Sequence, residues 1–342
     1  MDNPKNIFIS PLDWGLGHTT RCVPIAKELH NRGHKITFGV NDEQKSLLKQ
    51  ELDFGNYIQF EGYNIQYPKR GSMAVKMLLE SPKILKRIRA EYNELQALID
   101  IHKFDLIISD NRLGLHTRKI PCIYITHQIN IQGPNLLKNQ LHKIHGKYIN
   151  RFTHCWIPDS EGKINLSEEL SHGNLHENCS YIGTLSRFNQ KATTENEDID
   201  YVAIISGPEP QRSEFERIII NEFKKLPKNK CAIVVGKPLS KKQESIENIL
   251  YFSHLNSIEF FKLICRSKKI ICRPGYSTIM DLSTLQKPAH FIATPGQTEQ
   301  EYLAKIHGKE NGWSTQNNLK ISSKLEYNTL PEIKTNLKNL KW

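Results

Sequence analysis

Short apolar segments alternate with helical segments along most of this chain, and this alternation is what most constrains its fold. One series starts with Ile7–Ser10 and continues through Lys35–Val40 to Thr153–Ile157. A second series starts with Val202–Ser206 and ends in a helix over Thr298–Lys309. Apolar strands separated by helices belong to parallel sheets that are covered on both faces. The sequence therefore predicts an α/β protein with two doubly wound, Rossmann-like domains that face a cleft at the carboxyl ends of their strands.

The limits of the two domains follow from composition. The chain has 342 residues, which is enough for two domains of ordinary size. The segment 158–200 is polar and rich in turn-forming residues. We therefore place the first domain at residues 1–160 and the second at residues 178–325. The last segment, 328–342, is predicted to be an amphipathic helix.

The cysteines and the start of the chain argue against several classes of protein. The seven cysteines are scattered and never spaced C-x-x-C, which disfavours a zinc site and a disulfide framework. The residues after Met1 lack the pattern of a signal peptide, and no apolar run approaches the ~20 residues that cross a bilayer. We therefore expect a reduced, cytoplasmic protein with no metal and no cofactor.

The chain is basic, with a net charge of +11. This charge suits an anionic ligand, an anionic membrane surface or nucleic acid. Nucleic acid is the weakest of the three, because the chain has no RNA-binding aromatic motif, zinc finger or lysine-rich tail. Residues 63–92 mix basic and apolar side chains in a helical region, which suits an anionic bilayer at ~1 kcal/mol per cation. The alternative, slightly favoured, is a helix packed on the sheet with its basic face in water.

A glycine loop follows the first strand, with Gly15, Gly17 and His18 in close succession. Two glycines permit a tight turn and the close approach of another group. The dinucleotide-binding pattern needs a third glycine where Thr20 stands, so a nicotinamide dehydrogenase is disfavoured. His18 at the mouth of the sheet is either a chemical group or only a turn residue.

Polar side chains also end the neighbouring strands of the first series. Asp110 follows the strand Asp105–Ser109, and in the usual strand order 3-2-1-4-5 it would lie beside the first strand. It could then hydrogen-bond His18 and orient it as a general base. An aspartate that caps a loop is the equal alternative. His127 and Asn130 end the next strand and are predicted to face the same crevice.

The second series carries two candidate phosphate sites. Ser206, Gly207 and Arg212 follow its first strand and could approach a phosphate, or could form a proline-stiffened turn. The other candidate is Arg273-Pro-Gly-Tyr-Ser-Thr-Ile-Met-Asp281, in which a glycine ends a strand and hydroxyl residues open a helix. Unpaired N–H groups at a helix start bind anions, although the same hydroxyls could cap the helix themselves.

The loop after the next strand is rich in Gln and Glu. Gln297, Gln300 and Glu301 lie in it, and Tyr302 follows them. A carboxylate one turn into the preceding helix, Asp281, could accept hydrogen bonds from a sugar diol. A helix start for the diphosphate together with amides for the sugar predicts a pocket for a nucleotide diphosphate sugar.

These motifs resemble glycosyltransferase family 28, the family of the lipid II-forming N-acetylglucosamine transferase. The resemblance is strongest over Phe252–Trp313 and thinner in the first domain, where the glycine loop and Thr126–Asn130 carry it. It implies the GT-B fold, a UDP-sugar donor that could be UDP-N-acetylglucosamine, a lipid-linked or glycan acceptor, and a final helix that crosses back to the first domain. Asp281 and Glu301 stand where the family usually has Glu and Gln, which leaves the sugar open.

The resemblance also assigns residues to roles. His18 and Asp110 would be catalytic. Donor binding falls to Ser206, Gly207, Arg212, His254, Leu255, Arg273, Gly275, Tyr276, Ser277, Thr278, Asp281, Gln297, Gln300 and Glu301. The acceptor side falls to Gly15, Gly17, Thr19, Arg21, His127 and Asn130.

Two other functions remain open. The pattern from Gly15 through His18 to Arg21 also resembles the nucleotide-sugar hydrolase of pseudaminic acid synthesis, in which water is the acceptor. A sugar-nucleotide-binding protein without catalysis is the third reading. The Gln/Glu-rich loop and the chain length favour the transferase, with an inverting displacement that needs no metal.

Overall fold

The computed structural model describes residues 3–63, 73–131, 135–173, 175–194, 196–321, 325–338, 340 and 342, with the side chains of 73–79 and 135–139 left aside. Two seven-stranded sheets form its framework. The elements of the first part are β1 (Asn6–Pro11), α1 (Gly17–Asn31), β2 (Lys35–Val40), α2 (Asp42–Glu51), β3 (Asn56–Gln59), α3 (Met73–His102), β4 (Leu106–Asp110), β5 (Cys122–Ile125), α4 (Asn135–Ile149), β6 (His154–Ile157) and β7 (Cys179–Tyr181).

The first sheet has the order β3-β2-β1-β4-β5-β6-β7, and all of its strands pair in parallel. The predicted neighbours β1 and β4 are therefore adjacent, with Pro11 opposite Asp110. Both strands are almost entirely buried because helices cover the two faces of the sheet. β7 lies inside the range predicted for the second domain but pairs with the first sheet.

The second part contains β8 (Ile199–Ile204), α5 (Gln211–Lys224), β9 (Cys231–Val234), β10 (Gln243–Ile246), β11 (Ile249–Phe252), α6 (Ser257–Cys265), β12 (Ser267–Cys272), α7 (Tyr276–Leu285), β13 (Ala289–Ala293), α8 (Thr298–Gly308) and β14 (Trp313–Thr315). Its sheet has the order β10-β11-β9-β8-β12-β13-β14. Only β10 is antiparallel to its neighbour. The predicted pair of doubly wound α/β units is confirmed.

The sequence pattern did not reveal α2, because it is mostly polar. Its start is nevertheless encoded locally. The side chain of Asn41 accepts from the backbone N–H of Gln44, and the side chain of Gln44 accepts from the backbone N–H of Asn41. This reciprocal capping box satisfies two N–H groups that a helix start leaves unpaired.

The predicted helix over 328–342 is wrong. The described part of this tail is extended, with Asn328 bridged to Ala289 and Thr335 bridged to Gly183. Its backbone groups find partners on neighbouring segments, as where Ile333 N–H donates to Ser283 Oγ at 3.1 Å. Those partners replace the hydrogen bonds that a helix would make within itself.

The tail does return to the first part of the chain. A guanidinium nitrogen of Arg32 in α1 donates to the carbonyl of Leu337 at 2.6 Å, and the ring of Trp342 lies 5.8 Å from the same guanidinium. The apolar side chains of the tail are buried. They are spaced in sequence like the apolar face of a helix, and this spacing led to the wrong prediction. They are Leu330, Ile333, Leu337 and Leu340.

One apolar core continues from the first sheet into the second. It includes Ile25 and Leu29 of α1 together with Ile279 and Met280 of α7. α1 packs against α7, so the two helices that follow the most conspicuous glycine motifs of the sequence lie side by side.

Candidate active site

The helices α1 and α7 approach one another at their N-terminal ends. Ser277 Oγ donates to the carbonyl of Gly17 at 2.8 Å, which ties the start of α7 to the start of α1. A Cβ on Gly17 would lie 2.9 Å from that hydroxyl oxygen, so the contact needs a glycine. Gly15 has a φ of +79°, a conformation that glycine adopts at little cost. The predicted tight turn and close approach are both present.

His18 and Asp110 form the hydrogen bond that the strand order predicted. His18 Nδ1 lies 3.0 Å from Asp110 Oδ1, and the aspartate is fully buried. A carboxylate only accepts hydrogen bonds, so Nδ1 carries the hydrogen and Nε2 keeps its lone pair. The His18 side chain is 15% exposed. A neutral imidazole on a partly exposed side chain, oriented by a carboxylate, has the arrangement of a general base.

Arg21 lies behind this pair and binds the same carboxylate. Its Nε donates to Asp110 Oδ2 at 2.5 Å, and its Nη2 contacts Oδ1. Burial alone would raise the pKa of Asp110, but Arg21 and His18 outweigh it and lower that pKa to about 2. Arg21 is itself buried, so this predicted acceptor-side residue lies in the interior rather than at an accessible surface.

The pKa of His18 is lowered from its usual value of 6.5. Burial is the largest cause, and the charge of Arg21 acts in the same direction. Asp110 opposes both but does not reverse them. His18 is therefore neutral, and able to accept a proton, throughout the neutral pH range.

His127 extends the network into the second part of the chain. Its Nδ1 lies 3.2 Å from Arg21 Nη1, and its Nε2 lies 2.7 Å from Glu299 Oε1. A guanidinium only donates, so Nδ1 accepts and the Nε2–H donates to the carboxylate. The imidazole also stacks on Tyr276, with ring centroids 4.1 Å apart and planes at 5°. Both partners, Glu299 and Tyr276, belong to the second part.

Glu299 was not among the predicted site residues. It lies in the first turn of α8, between Gln297 and Gln300, which were. Burial would raise its pKa, but His127 and then His18 outweigh this and lower it. The sequence signal for Glu299 was that it is an acidic residue inside the Gln/Glu-rich loop. The spacing alone could not show that its side chain points toward the first sheet.

The predicted diphosphate site at α7 keeps its backbone groups available to an anion. Gly275 precedes the helix in an extended conformation, and no side chain caps the helix start. Ser277 directs its hydroxyl to Gly17 and Tyr276 directs its hydroxyl to the carbonyl of Pro158 at 3.1 Å. Ser277 therefore does not cap the helix, as the capped-helix alternative for this motif requires.

The loop after β8 has the other predicted phosphate contact. Gly207 has a φ of +102°, and a Cβ placed on it would meet no atom within 4 Å. The glycine is thus required by backbone conformation and leaves open space beside it. Arg212 is engaged by protein groups, with Nη1 donating to the carbonyl of Gly236 at 3.1 Å and lying 3.5 Å from Glu43 of α2. Ser206 is half-buried.

Two charged residues of the second motif are not at an open surface. Arg273 is fully buried, lies 4.1 Å over the ring of Phe215 and donates to the carbonyl of Ile292 at 3.1 Å. Burial lowers its pKa to about 9. Asp281 accepts from Ser186 Oγ at 2.8 Å and from Arg187 Nε at 3.2 Å, so its carboxylate is paired with the segment that joins the two sheets.

The side chains of the Gln/Glu-rich loop accept hydrogen bonds from backbone N–H groups of the same segment. Gln297 caps α8 by accepting from the N–H of Gln300 at 2.7 Å, and its side chain also helps to lower the pKa of Glu299. Gln300 Oε1 accepts from Thr294 N at 3.0 Å, and Glu301 Oε1 accepts from Gly296 N at 2.9 Å. These contacts fix the conformation of the loop, so the predicted sugar-binding side chains first serve the loop's own backbone.

The remaining predicted residues differ in their surroundings. His254 Nε2 is buried without a hydrogen-bond partner among the described atoms, and burial lowers the pKa of His254 to about 4. Leu255 is buried in the core. Thr19 is buried, and its hydroxyl also lacks a partner among the described atoms. Asn130 donates to the carbonyls of residues 169 and 172, at 2.7 and 2.8 Å, and so holds a loop in place.

A second buried ion pair was not foreseen. Arg112 Nε donates to Glu91 Oε1 at 2.8 Å, and both side chains are fully buried. Tyr63 donates to the other oxygen of Glu91 at 2.8 Å. The three residues are distant in sequence, and no local pattern relates them.

The basic region 63–92 is described only in part. Lys69, Arg70 and the side chain of Lys76 lie outside the described residues. In the described part of α3, Ile88 is buried while Lys83, Lys86 and Arg89 are exposed, and Arg87 pairs with Glu94 at 2.8 Å. Leu85 is 55% exposed. None of the helices within the described ranges is long and apolar enough to cross a bilayer.

Known proteins with similar sequences are named glycosyltransferases. No family profile matches the chain. An uncharacterized glycosyltransferase of Methanosarcina acetivorans is 25% identical over 93% of this chain and 85% of its own length. A second from the same organism is 23% identical over 85% of this chain and 78% of its own length. One from Methanosarcina mazei is 24% identical over 93% and 85%.

Solved structures agree on the fold. The glycosyltransferase of kitacinnamycin matches with a TM-score of 0.59 and 13% identity, over 94% of this chain and 88% of its own. The chain is a glycosyltransferase of the GT-B fold. Spinosyn rhamnosyltransferase SpnG, complexed with thymidine diphosphate, matches with a TM-score of 0.58 and 13% identity, over 91% and 86%. An Arabidopsis thaliana protein complexed with UDP-L-rhamnose gives 0.58 and 12%, over 95% and 88%.

In the GT-B fold, the network around His18 lies at the edge of the sheet where ligands bind. In open α/β sheets ligands bind outside the carboxyl ends of the strands. Asp110 ends β4, and α7 begins one loop after β12, so both lie at such edges. The GT-B glycosyltransferase thus has its candidate base on one side of the cleft and its helix start on the other, joined by the Ser277–Gly17 contact. In the described part of the chain, no cluster of three or more His, Cys, Asp or Glu could hold a metal.

Proposed function

We propose that this glycosyltransferase transfers a sugar from a UDP-sugar to a hydroxyl of a lipid-linked or glycan acceptor, with inversion at the anomeric carbon and without a metal. The observation that carries the proposal is the His18–Asp110–Arg21 network beside the uncapped start of α7. It supplies a proton acceptor and an anion site on facing sides of one cleft.

The proton acceptor is Nε2 of His18. It takes the proton of the acceptor hydroxyl as that oxygen attacks the anomeric carbon from the face opposite the diphosphate. The bond between the anomeric carbon and the diphosphate oxygen breaks, and its electrons leave with the diphosphate. Asp110 stabilises the imidazolium that forms, and Arg21 holds Asp110 in place.

The leaving group is a diphosphate that gains negative charge in the transition state. The backbone N–H groups at the start of α7 carry the positive end of the helix dipole and have no side-chain cap. The open space beside Gly207 lets a second loop approach the same phosphates. Fixed dipoles of this kind stabilise developing charge without reorganising during the reaction.

The choice of nucleotide and sugar comes from the neighbours and from the family resemblance. Two structural neighbours are complexed with thymidine diphosphate and with UDP-L-rhamnose, which supports a nucleoside diphosphate sugar as donor. UDP, N-acetylglucosamine and a lipid-linked or glycan acceptor follow from the family 28 resemblance. We therefore take UDP-N-acetylglucosamine as the first donor to test.

The test compares His18→Ala with the intact protein. Release of the nucleoside diphosphate, UDP or TDP, is measured from a panel of UDP- and TDP-sugars, with and without glycan and lipid-linked acceptors. We expect acceptor-dependent release in the intact protein and a loss of about 10²–10⁴-fold in His18→Ala, the usual contribution of general base catalysis. UDP affinity should change little, because the proposed diphosphate contacts are backbone N–H groups of α7 and not the His18 side chain.

The matched control is His102→Ala, since His102 is an exposed histidine at the end of α3. It should keep full activity. Full turnover in His18→Ala would contradict the proposal. Rapid release without any acceptor, lost in His18→Ala, would instead identify the hydrolase.

A further inference from the structure

A cavity of about 560 Å³ opens beside the Gln/Glu-rich loop, on the side of α8 that does not carry Glu299. Its floor is formed by Ala293 at the end of β13, and one wall by Trp313 and Thr315 of β14. The volume is in the range of small-molecule sites. None of the catalytic residues discussed above lines it.

Helix geometry separates this cavity from the donor side of the cleft. Each residue of an α-helix turns the chain by about 100°, so Glu301 lies about 200° and Lys305 about 240° around the helix from Glu299. Glu299 points to His127 across the cleft, whereas Glu301 and Lys305 line the cavity. One face of α8 therefore lies toward His127 and the cleft, and the opposite face lies toward the cavity.

The lining combines aromatic rings with amides. Trp313 and Tyr302 are half-buried and present ring surface, while Asn317 and Asn318 are exposed at the rim. No described residue hydrogen-bonds the side-chain amides of the two asparagines or pairs with Lys305. Ring faces that pack on apolar C–H surface, beside unpaired donors and acceptors, match the alternating surface of a sugar ring.

The cavity is held in place by its surroundings. Gly308 lies against Trp313, and a Cβ on Gly308 would come within 2.8 Å of the Trp313 Cβ. Tyr302 accepts at its hydroxyl from the N–H of Glu169 at 3.1 Å, so a loop of the first part also supports the wall. Preformed walls reduce the ordering that a ligand would otherwise require.

We propose that this cavity is a saccharide-binding subsite that holds a sugar unit of the glycan acceptor at a distance from the reacting hydroxyl. The acceptor role rests on the proposed glycosyl transfer, whereas saccharide binding itself does not. The site lies one helix width from the cleft, at the carboxyl edge of β13 and β14. An acceptor with more than one sugar could therefore occupy the cleft and the cavity together.

The test measures saccharide binding through the fluorine resonance of Trp313 and does not depend on turnover. Full-length protein carrying 5-fluorotryptophan has four fluorine resonances, one for each tryptophan. That of Trp313 is assigned with Trp313→Phe, which keeps a ring in the wall. The probes are chitotriose, cellotriose and maltotriose, each added both with and without saturating UDP. We expect at least one probe to shift the Trp313 resonance while UDP is bound.

Surface variants keep the test independent of folding. The double change Asn317→Ala and Asn318→Ala should raise the dissociation constant of that probe about tenfold, the scale of one or two lost hydrogen bonds. The exposed Asn150→Ala serves as the matched control and should leave it unchanged. UDP affinity should stay within about twofold in both proteins.

Three results would overturn the subsite: no shift of Trp313 with any probe, a shift that UDP abolishes, or equal affinity in the double variant and in Asn150→Ala. Each is distinct from failure of the proposed function. His18→Ala should still bind the probe, and loss of its turnover tests the chemistry alone.

Discussion

The two sides of the cleft hold their polar groups in different ways. On the first side, Asp110, Arg21 and His18 form a buried cluster of charged and ionisable side chains. On the second side, the groups left open to a ligand are backbone N–H groups at α7 and the space beside Gly207. Proton transfer needs a titratable group with a fixed tautomer, whereas a diphosphate needs only dipoles. The difference in construction thus follows the difference in chemistry.

The charged side chains of the second side support the architecture instead. Arg273 lies over Phe215, and Asp281 is paired with Arg187 in the connection between the sheets. Besides the Ser277–Gly17 contact, a hydrogen bond between His127, which contacts Arg21, and Glu299 couples the two sides. Substitutions can act on either side or on this link, and their expected effects differ in size.

The largest effect is expected from Asp110→Asn. The amide cannot neutralise Arg21, which is buried, and an unpaired buried charge costs about 3–5 kcal/mol of unfolding free energy. Turnover should also fall, because an amide can leave His18 in the wrong tautomer. Denaturant titration measures the first effect and steady-state kinetics the second. The exposed Asp100→Asn, which removes a surface pair with Lys119, should change neither. Equal stability of the two variants would show that the cluster is not a charged core.

The next effect is the pH dependence of kcat/KM. His18 must be neutral to act as a base, and its folded-state pKa lies below 6.5. Activity should therefore be near its maximum at neutral pH and should fall by about tenfold per pH unit well below the lowered pKa. Between the lowered pKa and the unfolded-state value of 6.5, the folded state binds fewer protons than the unfolded state, so lowering the pH through this range also reduces stability. An acid limb centred above 6.5 would contradict the assignment of His18.

The link between the sides is tested by Glu299→Gln. The amide oxygen can still accept from His127 Nε2–H, but the charge that strengthens this bond is lost, at about 1–1.5 kcal/mol. We expect the KM for the donor to rise up to about tenfold while kcat changes less. The pKa of His18 should fall further, since the neighbouring negative charge is gone. The exposed Glu310→Gln, beyond the end of α8, is the control. If kcat alone drops, Glu299 acts in the chemical step and not as a link.

The sequence could predict what strand order determines. Asp110 meets His18 because β4 must lie beside β1 in a doubly wound sheet, and both residues follow strand ends. It could not predict side-chain direction. Arg273 and Arg21 belong to the two glycine-containing motifs and yet point inward, where Arg273 lies over Phe215 and Arg21 binds Asp110. Those partners come from other segments, and no local spacing encodes them.

The tail shows the same limit for secondary structure. Four buried apolar residues at helical spacing, Leu330 to Leu340, pack in an extended segment because Ser283, Thr184 and neighbouring backbone groups satisfy its hydrogen bonds. Intrinsic spacing predicts a helix only where the helix supplies its own hydrogen-bond partners. Tertiary partners decided the outcome here.

The smallest effect is expected from Gly207→Ala, and it asks whether the loop after β8 is a binding loop or only a turn. The residue has a φ of +102°, and a methyl group added there would meet no neighbouring atom, so the cost to stability comes from backbone strain alone, about 1 kcal/mol. If phosphates approach this glycine, the same methyl group enters their space and the donor KM also rises. If the loop is only a turn, stability falls and KM stays constant. Gly162→Ala, at a glycine without positive φ and with ordinary contacts, should change neither quantity. Because the two readings agree on stability and differ on KM, measuring both on one variant decides whether the second side of the cleft binds the donor through backbone at two places or at α7 alone.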